Sequence, residues 1–454
     1  MPFATVNPTT GQVEQEFDDH TPVEVEARLA LAATTFADFR RTSFAERARF
    51  MTTAAELLEG ELPEVARVLT TEMGKTFGAA RGEVAKCALT MRWYAEHAER
   101  LLADEPIETS ATASFVRYQP LGPVLAVMPW NFPLWQVVRF AAPALMAGNV
   151  GLLKHASNVP QAALFLEGLF RRAGFPEGAF TTLLIGSGDV AGVIADERVV
   201  AVTLTGSERA GQAVAAAAGD VLKKCVLELG GSDPFLVLAS ADLDQAAPTA
   251  ARARTQNNGQ SCIAAKRFVV EAAVYDEFTE RFVKEMAGLT LGDPFDPATD
   301  VGPLVSEAQR AEVASQVDDA RAKGATVACG GEIPPGPGWF YPPTVLCGVT
   351  PEMRAYEEEL FGPVAVVEKA DDLDHAIALA NRTNYGLGSS VWATDAAVQQ
   401  RCIAEIEAGQ VFVNAMVASS PEMPFGGIKR SGYGRELSAL GIKEFTNPKA
   451  VWIA

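Results

Sequence analysis

The residues best suited to chemistry lie in the segment 257–262, NNGQSC, which ends in Cys262. A cysteine thiolate is a strong nucleophile, and the small residues Gly259 and Ser261 leave room for a substrate to reach the sulfur. We expect a junction between a loop and a helix at Cys262, where backbone N–H groups would favour the thiolate. A lone cysteine is, however, more often a small buried hydrophobic residue.

Two upstream segments carry side chains that a cysteine-dependent reaction on a carbonyl would need. In 128–135, MPWNFPLW, the amide of Asn131 can donate to an oxyanion. In 227–232, LELGGS, Glu228 ends an apolar strand, which should raise its pKa towards that of a base working near neutrality. Plainer interpretations exist, because Asn-x-Pro is common in turns and most glutamates at strand ends are solvated.

These three segments, together with 359–363, ELFGP, resemble the motifs of the aldehyde dehydrogenase superfamily in order and spacing. The resemblance begins near 7–11, NPTTG, and reaches the C-terminus. Through 71–75, TEMGK, and 154–160, KHASNVP, it extends to the NADP-dependent succinate-semialdehyde dehydrogenases of bacteria and cyanobacteria. It implies oxidation of an aldehyde to an acid through a cysteine thiohemiacetal and a thioester.

The resemblance gives the reactive side chains their roles. Cys262 is implied as the nucleophile, Asn131 and the Cys262 N–H as oxyanion donors, and Glu228 as the base that activates water. Relatives that pass the acyl group to coenzyme A tend to lack this base, so Glu228 favours water as the acceptor. Because Ser261 and Ile263 flank the nucleophile, we expect no local regulatory disulfide.

Two glycine turns after predicted strands could hold a dinucleotide. The segment 186–192 reads G-x-G-x-x-x-G, one residue longer than the usual fingerprint, and a plain turn explains it equally well. In 205–207, TGS, Ser207 can cap a helix and donate to a pyrophosphate. The resemblance implies cofactor contacts from Met128, Pro129, Trp130, Lys154, Ser157, Gly186, Gly206, Ser207, Leu229, Gly230, Glu359 and Phe361.

The choice between NADP and NAD depends on Lys154 and Ser157. The resemblance makes Lys154 a ribose ligand, and relatives that prefer NAD carry a glutamate where this chain has Ser157. A carboxylate there would repel a 2′-phosphate, whereas a serine beside an ammonium would not. We therefore expect NADP, with NAD used less efficiently. Ser157 could also be the N-cap of a helix near Val159 and Pro160.

The expected substrate is an aldehyde with a distal carboxylate. Arg139 matches an arginine that binds this group in succinate-semialdehyde dehydrogenases, and its apolar neighbours require that it have a partner. Some relatives have a second arginine where this chain has Gln256, with Arg254 two residues earlier. Ser419 is the best candidate for the missing donor, although it could be an ordinary loop serine. Trp135 could form a wall of the substrate tunnel or belong to the core.

The hydrophobic pattern predicts an α/β fold. Apolar residues repeat at helical spacing over 22–102, and 107–119 reads as a strand of a hairpin. Alternating strands and helices over 122–229, and again from 232, predict parallel sheets with helices on both faces. The predicted strands are 124–128, 150–154, 181–185, 199–204, 235–238, 267–271, 362–368 and 410–414.

The resemblance adds a domain division to this pattern. It implies a Rossmann-type cofactor domain over 1–103 and 121–230 and an α/β catalytic domain over 231–426. The segments 104–120 and 427–454 would bridge subunits, because the family's hairpin is an arm that joins a neighbouring subunit's sheet. We therefore expect a homodimer or homotetramer.

Composition excludes several other classes. The 454 residues carry a formal net charge of −19, which argues against nucleic acid and anionic membranes as partners. No apolar run approaches the roughly 18 residues of a membrane span. Six cysteines lack C-x-x-C spacing and four histidines lack metal-ligand spacing, so we expect no metal. Reduced thiols and the absence of a basic-then-apolar start predict a cytoplasmic protein.

Three functional hypotheses remain at this point. The leading one is NADP-dependent oxidation of succinate semialdehyde, and its variant is a dehydrogenase of another short aliphatic or ω-carboxyl aldehyde, such as glutarate semialdehyde. A cysteine-dependent esterase using Cys262 and Glu228 would leave Lys154, Ser207 and Phe361 unexplained. A non-catalytic protein is disfavoured by the complete set of reactive residues.

Overall fold

The computed structural model describes residues 3–454. The helices are α1 (Pro22–Phe39), α2 (Phe44–Gly60), α3 (Leu62–Met73), α4 (Phe77–Leu101), α5 (Trp135–Met146), α6 (Pro160–Arg172), α7 (Val190–Ala195), α8 (Glu208–Asp220), α9 (Leu243–Thr255), α10 (Tyr275–Ala287), α11 (Glu307–Ala322), α12 (Arg354–Glu357), α13 (Leu373–Asn381), α14 (Ala396–Glu405) and α15 (Ser438–Glu444).

The strands fall into four sheets. They are β1 (Phe3–Asn7), β2 (Gln12–Phe17), β3 (Glu105–Pro106), β4 (Ala113–Pro120), β5 (Pro123–Met128), β6 (Val150–His155), β7 (Phe180–Thr182), β8 (Ala201–Thr205), β9 (Lys224–Glu228), β10 (Pro234–Val237), β11 (Arg267–Glu271), β12 (Thr326–Cys329), β13 (Thr344–Cys347), β14 (Val364–Ala370), β15 (Ser390–Trp392), β16 (Phe412–Val413), β17 (Gly432–Tyr433) and β18 (Thr446–Ile453).

The helical region predicted over 22–102 is present as α1 to α4. Thr21 forms a capping box with Glu24 at the start of α1, and Ser43 caps α2 by accepting from the Glu46 N–H. Helix α2 ends at Gly60. No helix within residues 3–454 is both long and apolar enough to cross a membrane.

The first α/β region forms a six-stranded sheet in the order β17-β9-β8-β5-β6-β7. Its five strands β5 to β9 are parallel, as predicted, and β17 joins antiparallel. The prediction of a strand over 181–185 is too long, because β7 ends at Thr182. Beyond it, the Leu184 N–H and C=O bond to the side chain and backbone of His20, away from the sheet.

The second region is a seven-stranded sheet in the order β12-β13-β14-β11-β10-β15-β16. The predicted strand 267–271 is β11, while the strand predicted over 362–368 runs two residues later as β14. The strand predicted over 410–414 is longer than the observed β16, which ends at Val413 because Asn414 has a positive φ of 52°. Strands β12, β13 and β15, of three or four residues each, were not predicted.

The predicted strand over 107–119 is present as β4, but its main partner is distant in sequence. All eight residues of β4 pair with β18 at the C-terminal end of the chain, and β3 adds only two residues on the other side. The predicted hairpin is present as β3 and β4, but it is short, and its longer strand begins at Ala113 and not at 107. Pairing between segments more than 300 residues apart leaves no local turn signal.

The chain passes from the six-stranded to the seven-stranded sheet between Glu228 and Pro234. This crossing includes Gly230 and Gly231, where the sequence placed the domain boundary. We retain the division into cofactor and catalytic domains as a proposal, and residues 1 and 2 of the first domain lie outside the described residues.

The segment before Cys262 approaches the backbone of 362–363 closely. Gly259 has a φ of +75°, and a Cβ there would lie 2.3 Å from the Gly362 carbonyl carbon. Asn258 fixes the same segment, because its amide donates to the carbonyls of Gly74 and Pro303 and accepts from the Gly302 N–H. The turn that carries the cysteine is therefore anchored to three other segments.

We predict that Gly259→Ala destabilises the fold much more than Gly324→Ala. Both glycines have positive φ, which costs alanine about 1–2 kcal/mol, but Gly324 has no atom within 4 Å of an added Cβ. At Gly259 the clash with backbone adds roughly 1–3 kcal/mol. Urea unfolding followed by tryptophan fluorescence measures both, and equal losses of stability would contradict the prediction.

Candidate active site

Two cavities meet at Cys262. The cofactor-side cavity, of about 260 Å³, is lined by Pro129, Trp130, Asn131, Gln136, Thr205, Gly206, Ser207, Leu229, Gly230, Cys262, Gln309, Glu359 and Phe361. The substrate-side cavity, of about 340 Å³, is lined by Ala79, Gly82, Glu83, Lys86, Phe132, Trp135, Gln136, Arg139, Gln256, Asn257, Ser261, Cys262, Ile263, Met416, Val417, Ala418, Ser419 and Phe425. Only Cys262 and Gln136 line both, so the sulfur stands between two separate binding spaces.

Cys262 lies in a turn between the 3-10 helix Gln256–Gly259 and strand β11. The expectation of a loop-to-helix junction is therefore wrong, and no helix N-terminus supports the thiolate. Instead, the Lys266 ammonium donates to the carbonyls of Ser261 and Cys262 at 2.9 and 2.7 Å. Burial raises the pKa of the Cys262 thiol to about 12, and the positive charges of Arg139 and Lys266 oppose that effect.

Asn131 is buried beside the turn that carries the cysteine. Its Nδ2 donates to the Gln260 carbonyl at 3.1 Å, and its own carbonyl accepts from Nδ2 of Asn257 at 2.8 Å. An amide nitrogen has two hydrogens, so one remains for an oxyanion beside Cys262. The asparagine is thus held by both its side chain and its backbone in the wall of the cofactor-side cavity.

Glu228 ends β9 and is buried, but its carboxylate does not line either cavity. It faces Gly426, where a Cβ would lie 2.6 Å from one carboxylate oxygen. Neither oxygen has a hydrogen-bond partner among the described residues. Burial and the nearby Glu436 raise the pKa of Glu228 well above its usual range, while Arg139 opposes the rise. Its pKa is raised, as the sequence predicted, but its carboxylate lies outside both cavities that Cys262 lines.

Arg139 lies on α5, as predicted, and has a partner that sequence reasoning missed. Its guanidinium forms a buried ion pair with Glu436, donates to Thr205 Oγ1 at 3.3 Å and lies 4.3 Å from the centre of the Phe425 ring. The backbones of Phe425 and Glu436 also pair with each other. The charge of Arg139 is therefore compensated within the chain, although the residue lines the substrate-side cavity.

Glu359 and Phe361 lie in the cofactor-side cavity, where the sequence placed them. Glu359 accepts from the Gly231 N–H at 3.1 Å and lies 3.4 Å from the Lys266 ammonium. Phe361 packs edge-to-face against Trp130 with ring centres 5.6 Å apart. Through Lys266, these contacts connect the turn that carries Cys262 to the wall of the cavity.

Ser207 caps α8 by accepting from the Ala210 N–H, as predicted, and its hydroxyl hydrogen remains free to donate. Four predicted cofactor residues do not line the cavity: Met128, Lys154, Ser157 and Gly186. They nevertheless lie near the carboxyl ends of the neighbouring strands β5, β6 and β7, at the same edge of the sheet. The alternative role of Ser157 as a helix N-cap is wrong, since Val159 occupies that position.

In the substrate-side cavity the structure places Trp135, Ser419 and Gln256 with Arg139. Arg254 is absent from it, because its buried guanidinium donates to the backbone carbonyl of Gly259 at 2.7 Å. Sequence reasoning missed four charged residues of the site: Lys86, Glu83, Lys266 and Glu436. Lys86 and Glu83 lie three residues apart on α4, and the position of Glu83 among the apolar residues of the helix's buried side was the available signal.

Glu83 positions the start of α5. One of its carboxylate oxygens accepts from the N–H groups of Leu134 and Trp135 at 2.9 and 3.0 Å, and the other pairs with the buried Lys75. A carboxylate at a helix N-terminus satisfies free N–H groups and complements the helix dipole. Within residues 3–454, no cluster of three His, Cys, Asp or Glu side chains is arranged to hold a metal ion.

Comparisons with known proteins agree with this geometry. The model of the aldehyde dehydrogenase family matches residues 1–451. The chain is 60% identical to succinate-semialdehyde dehydrogenase [NADP(+)] of Mycobacterium avium strain 104, over 100% of this chain and 97% of that protein. It is also 60% identical to succinate-semialdehyde dehydrogenase [NADP(+)] 1 of Mycobacterium tuberculosis strain H37Rv, over 100% of both chains.

Solved structures of aldehyde dehydrogenases are also similar to this chain. Succinic semialdehyde dehydrogenase from Streptococcus pyogenes, in complex with NADP+, superposes with a TM-score of 0.97 at 40% identity and covers 99% of both chains. An NAD-dependent aldehyde dehydrogenase from Sinorhizobium meliloti, 34% identical, also superposes at 0.97 and covers 100% of this chain and 91% of its own. In this chain Cys262 lies between a cavity at the edge of a parallel sheet and a second cavity, and the family model matches almost all of its residues. The chain therefore belongs to the aldehyde dehydrogenase family.

Proposed function

We propose that the protein oxidises succinate semialdehyde to succinate with NADP. The observation that carries the proposal is the position of Cys262 between a cavity at the carboxyl edge of a parallel sheet and a second cavity with a cationic wall. The full-length relatives named for this reaction support the same assignment.

The residues at the sheet edge fit a dinucleotide with a 2′-phosphate. Ser207 and Gly206 are available for the pyrophosphate at the start of α8. Lys154 is largely buried, and no carboxylate in residues 3–454 pairs with its ammonium. A side chain with an unpaired positive charge, three residues from an uncharged Ser157, suits a phosphate. When bound, NADP accepts hydride from the substrate carbon.

The chain's own residues supply the remaining chemistry. The Cys262 thiolate adds to the aldehyde carbon, forming a C–S bond, and Asn131 Nδ2 and the Cys262 N–H donate to the resulting oxyanion. Loss of hydride from this carbon leaves a thioester. Glu228 then takes a proton from water, the water oxygen attacks the thioester, and cleavage of the C–S bond releases succinate and the thiolate.

This role for Glu228 requires its side chain to turn from Gly426 towards Cys262. The next two residues, Leu229 and Gly230, already line the cofactor-side cavity. The absence of hydrogen-bond partners for the carboxylate lowers the cost of that movement, because no bond has to be broken.

We propose that Arg139, Ser419 and Trp135 bind the far end of the substrate. Arg139 and Ser419 offer donors to a distal carboxylate, and Trp135 forms an apolar wall for the methylene groups. Arg139 stays paired with Glu436, so its contribution is that of a hydrogen-bond donor with a partly compensated charge.

We further propose that the protein is a cytoplasmic homodimer or homotetramer that associates through the β3-β4-β18 sheet. Trp452 and Ile453 on β18 and Ile107, which follows β3, are 60%, 49% and 50% exposed at the same end of this sheet, and large exposed apolar side chains favour a protein partner. All six cysteines are free, as reducing compartments favour.

We expect the wild-type enzyme to prefer succinate semialdehyde to butanal by roughly 100-fold in kcat/KM, since butanal lacks the carboxylate. Glutarate semialdehyde, with one more methylene, should be used roughly 10-fold less well. Initial rates of NADPH formation over the three aldehydes measure this. Equal values for succinate semialdehyde and butanal would reduce the proposal to an aldehyde dehydrogenase of another substrate.

Cys262→Ala and Glu228→Gln should fail at different steps. Cys262→Ala should form no NADPH, because the covalent adduct precedes hydride loss, while still binding NADP. Glu228→Gln should release about one equivalent of NADPH per site in a burst and then turn over roughly 10²- to 10⁴-fold more slowly. Stopped-flow absorbance separates the two, and full-rate turnover by Glu228→Gln would assign the base elsewhere.

Ser157→Glu should shift the preference from NADP towards NAD. The ratio of kcat/KM for NADP to that for NAD should fall roughly 10-fold or more, since two charges about 4 Å apart near a surface repel by several kcal/mol. Ser157→Ala is the matched control and should change the ratio by only about fivefold, as expected for one hydrogen bond. The same ratio in all three proteins would place Ser157 away from the 2′-phosphate.

A further inference from the structure

Lys86 is a largely buried lysine of α4 that has no role in the chemistry derived above. Its ammonium lies in the wall of the substrate-side cavity, together with Cys262 and Arg139. It donates to Ser419 Oγ at 2.7 Å and lies 4.1 Å from the centre of the Trp135 ring. Both of these partners are uncharged.

The nearby carboxylates are already used. Glu83, one turn earlier on α4, caps α5 and pairs with Lys75. Glu436 pairs with Arg139 on α5. No carboxylate within residues 3–454 lies within ion-pair distance of the Lys86 ammonium. A largely desolvated cation without a counter-charge is costly to the fold unless a ligand supplies the anion.

We propose that Lys86 is the second cationic ligand for the substrate's distal carboxylate, in the role that Gln256 leaves vacant. This inference rests on the proposed function and names the group that discriminates for a carboxylate. An ammonium has three hydrogens, so two remain for the substrate while one stays with Ser419. The Ser419 hydroxyl, which accepts from Lys86, keeps its own hydrogen to donate to the same carboxylate.

The ionisation of Lys86 gives this arrangement a pH dependence. Burial, and to a smaller extent the charge of Arg139 on α5, lower the pKa of Lys86 to about 8, although Cys87 and Glu83 on α4 act in the opposite direction. Lys86 is therefore charged below pH 8 and neutral above it. Because kcat/KM reports the free enzyme, the preference for a carboxylate-bearing aldehyde should decline as the pH rises through about 8.

The test is the ratio of kcat/KM for succinate semialdehyde to that for butanal, in which the ionisations of Cys262 and Glu228 cancel. In Lys86→Met the ratio should fall roughly 10- to 100-fold, as expected when one partner of a desolvated charge pair is removed. In Lys86→Arg a high ratio should persist and stay flat from pH 7 to 10, because a guanidinium keeps its charge.

Arg92→Met is the matched control, because it removes one positive charge from the same helix at an exposed ion pair with Glu59. Its ratio should equal that of the wild type. Competitive inhibition by succinate gives a second measurement without turnover of substrate, and Lys86→Met should weaken it by a similar factor.

The outcomes separate this inference from the function on which it rests. A wild-type enzyme with no preference for succinate semialdehyde over butanal would overturn the proposed function. A wild-type preference that is unchanged in Lys86→Met would overturn the role of Lys86 alone. If Lys86→Met does not fold, a wild-type ratio that is constant between pH 6 and 10 overturns it equally.

Discussion

The site depends on the burial of a short polar turn between two sheets. Every backbone group that such a turn buries needs a hydrogen-bond partner, and here buried side chains provide many of them. Asn257 and Asn258, both with positive φ, donate to carbonyls of other segments. Lys266 donates to the backbone carbonyls of Ser261 and Cys262. The sulfur is therefore fixed by its surroundings, and substrate and cofactor can approach it from separate cavities.

Most buried cationic side chains of the described residues have a compensating partner within the chain, and two do not. Most of them are satisfied within the chain, by carboxylates or by backbone carbonyls: Lys75, Arg139, Arg254, Lys266 and Arg267. Among the described residues, Lys86 and Lys154 are largely buried without such compensation. Lys86 lines the substrate-side cavity, where a substrate carboxylate is proposed to bind, and Lys154 lies near the carboxyl end of β6, where a cofactor phosphate is proposed to bind. The positions of these two uncompensated positive charges thus indicate where the protein binds anions.

The base and the arginine are coupled through Glu436. Burial raises the pKa of Glu228 and Glu436, and the positive charge of Arg139 stabilises the ionised form of both, with a smaller contribution from Arg435 to Glu228. Two neighbouring buried carboxylates repel each other when both are ionised, so protonation of one favours ionisation of the other. Arg139 consequently connects the substrate-side cavity to the group proposed to activate water. Its removal would disturb both, whereas Lys86 is in contact with neither carboxylate.

The sequence by itself determined the family and the parallel sheets, because these are encoded in contiguous motifs such as 128–135 and 257–262 and in regular strand and helix periodicity. The role of Cys262 as nucleophile and those of the cofactor residues were predicted from the same motifs and stay proposals. Tertiary structure alone decided what distant segments bring together. It paired β4 with β18, placed Glu436 against Arg139 and turned the Glu228 carboxylate towards Gly426. Lys86 contacts Ser419 across 333 residues. Such pairings are set by packing between elements, and a single sequence carries no local signal for them.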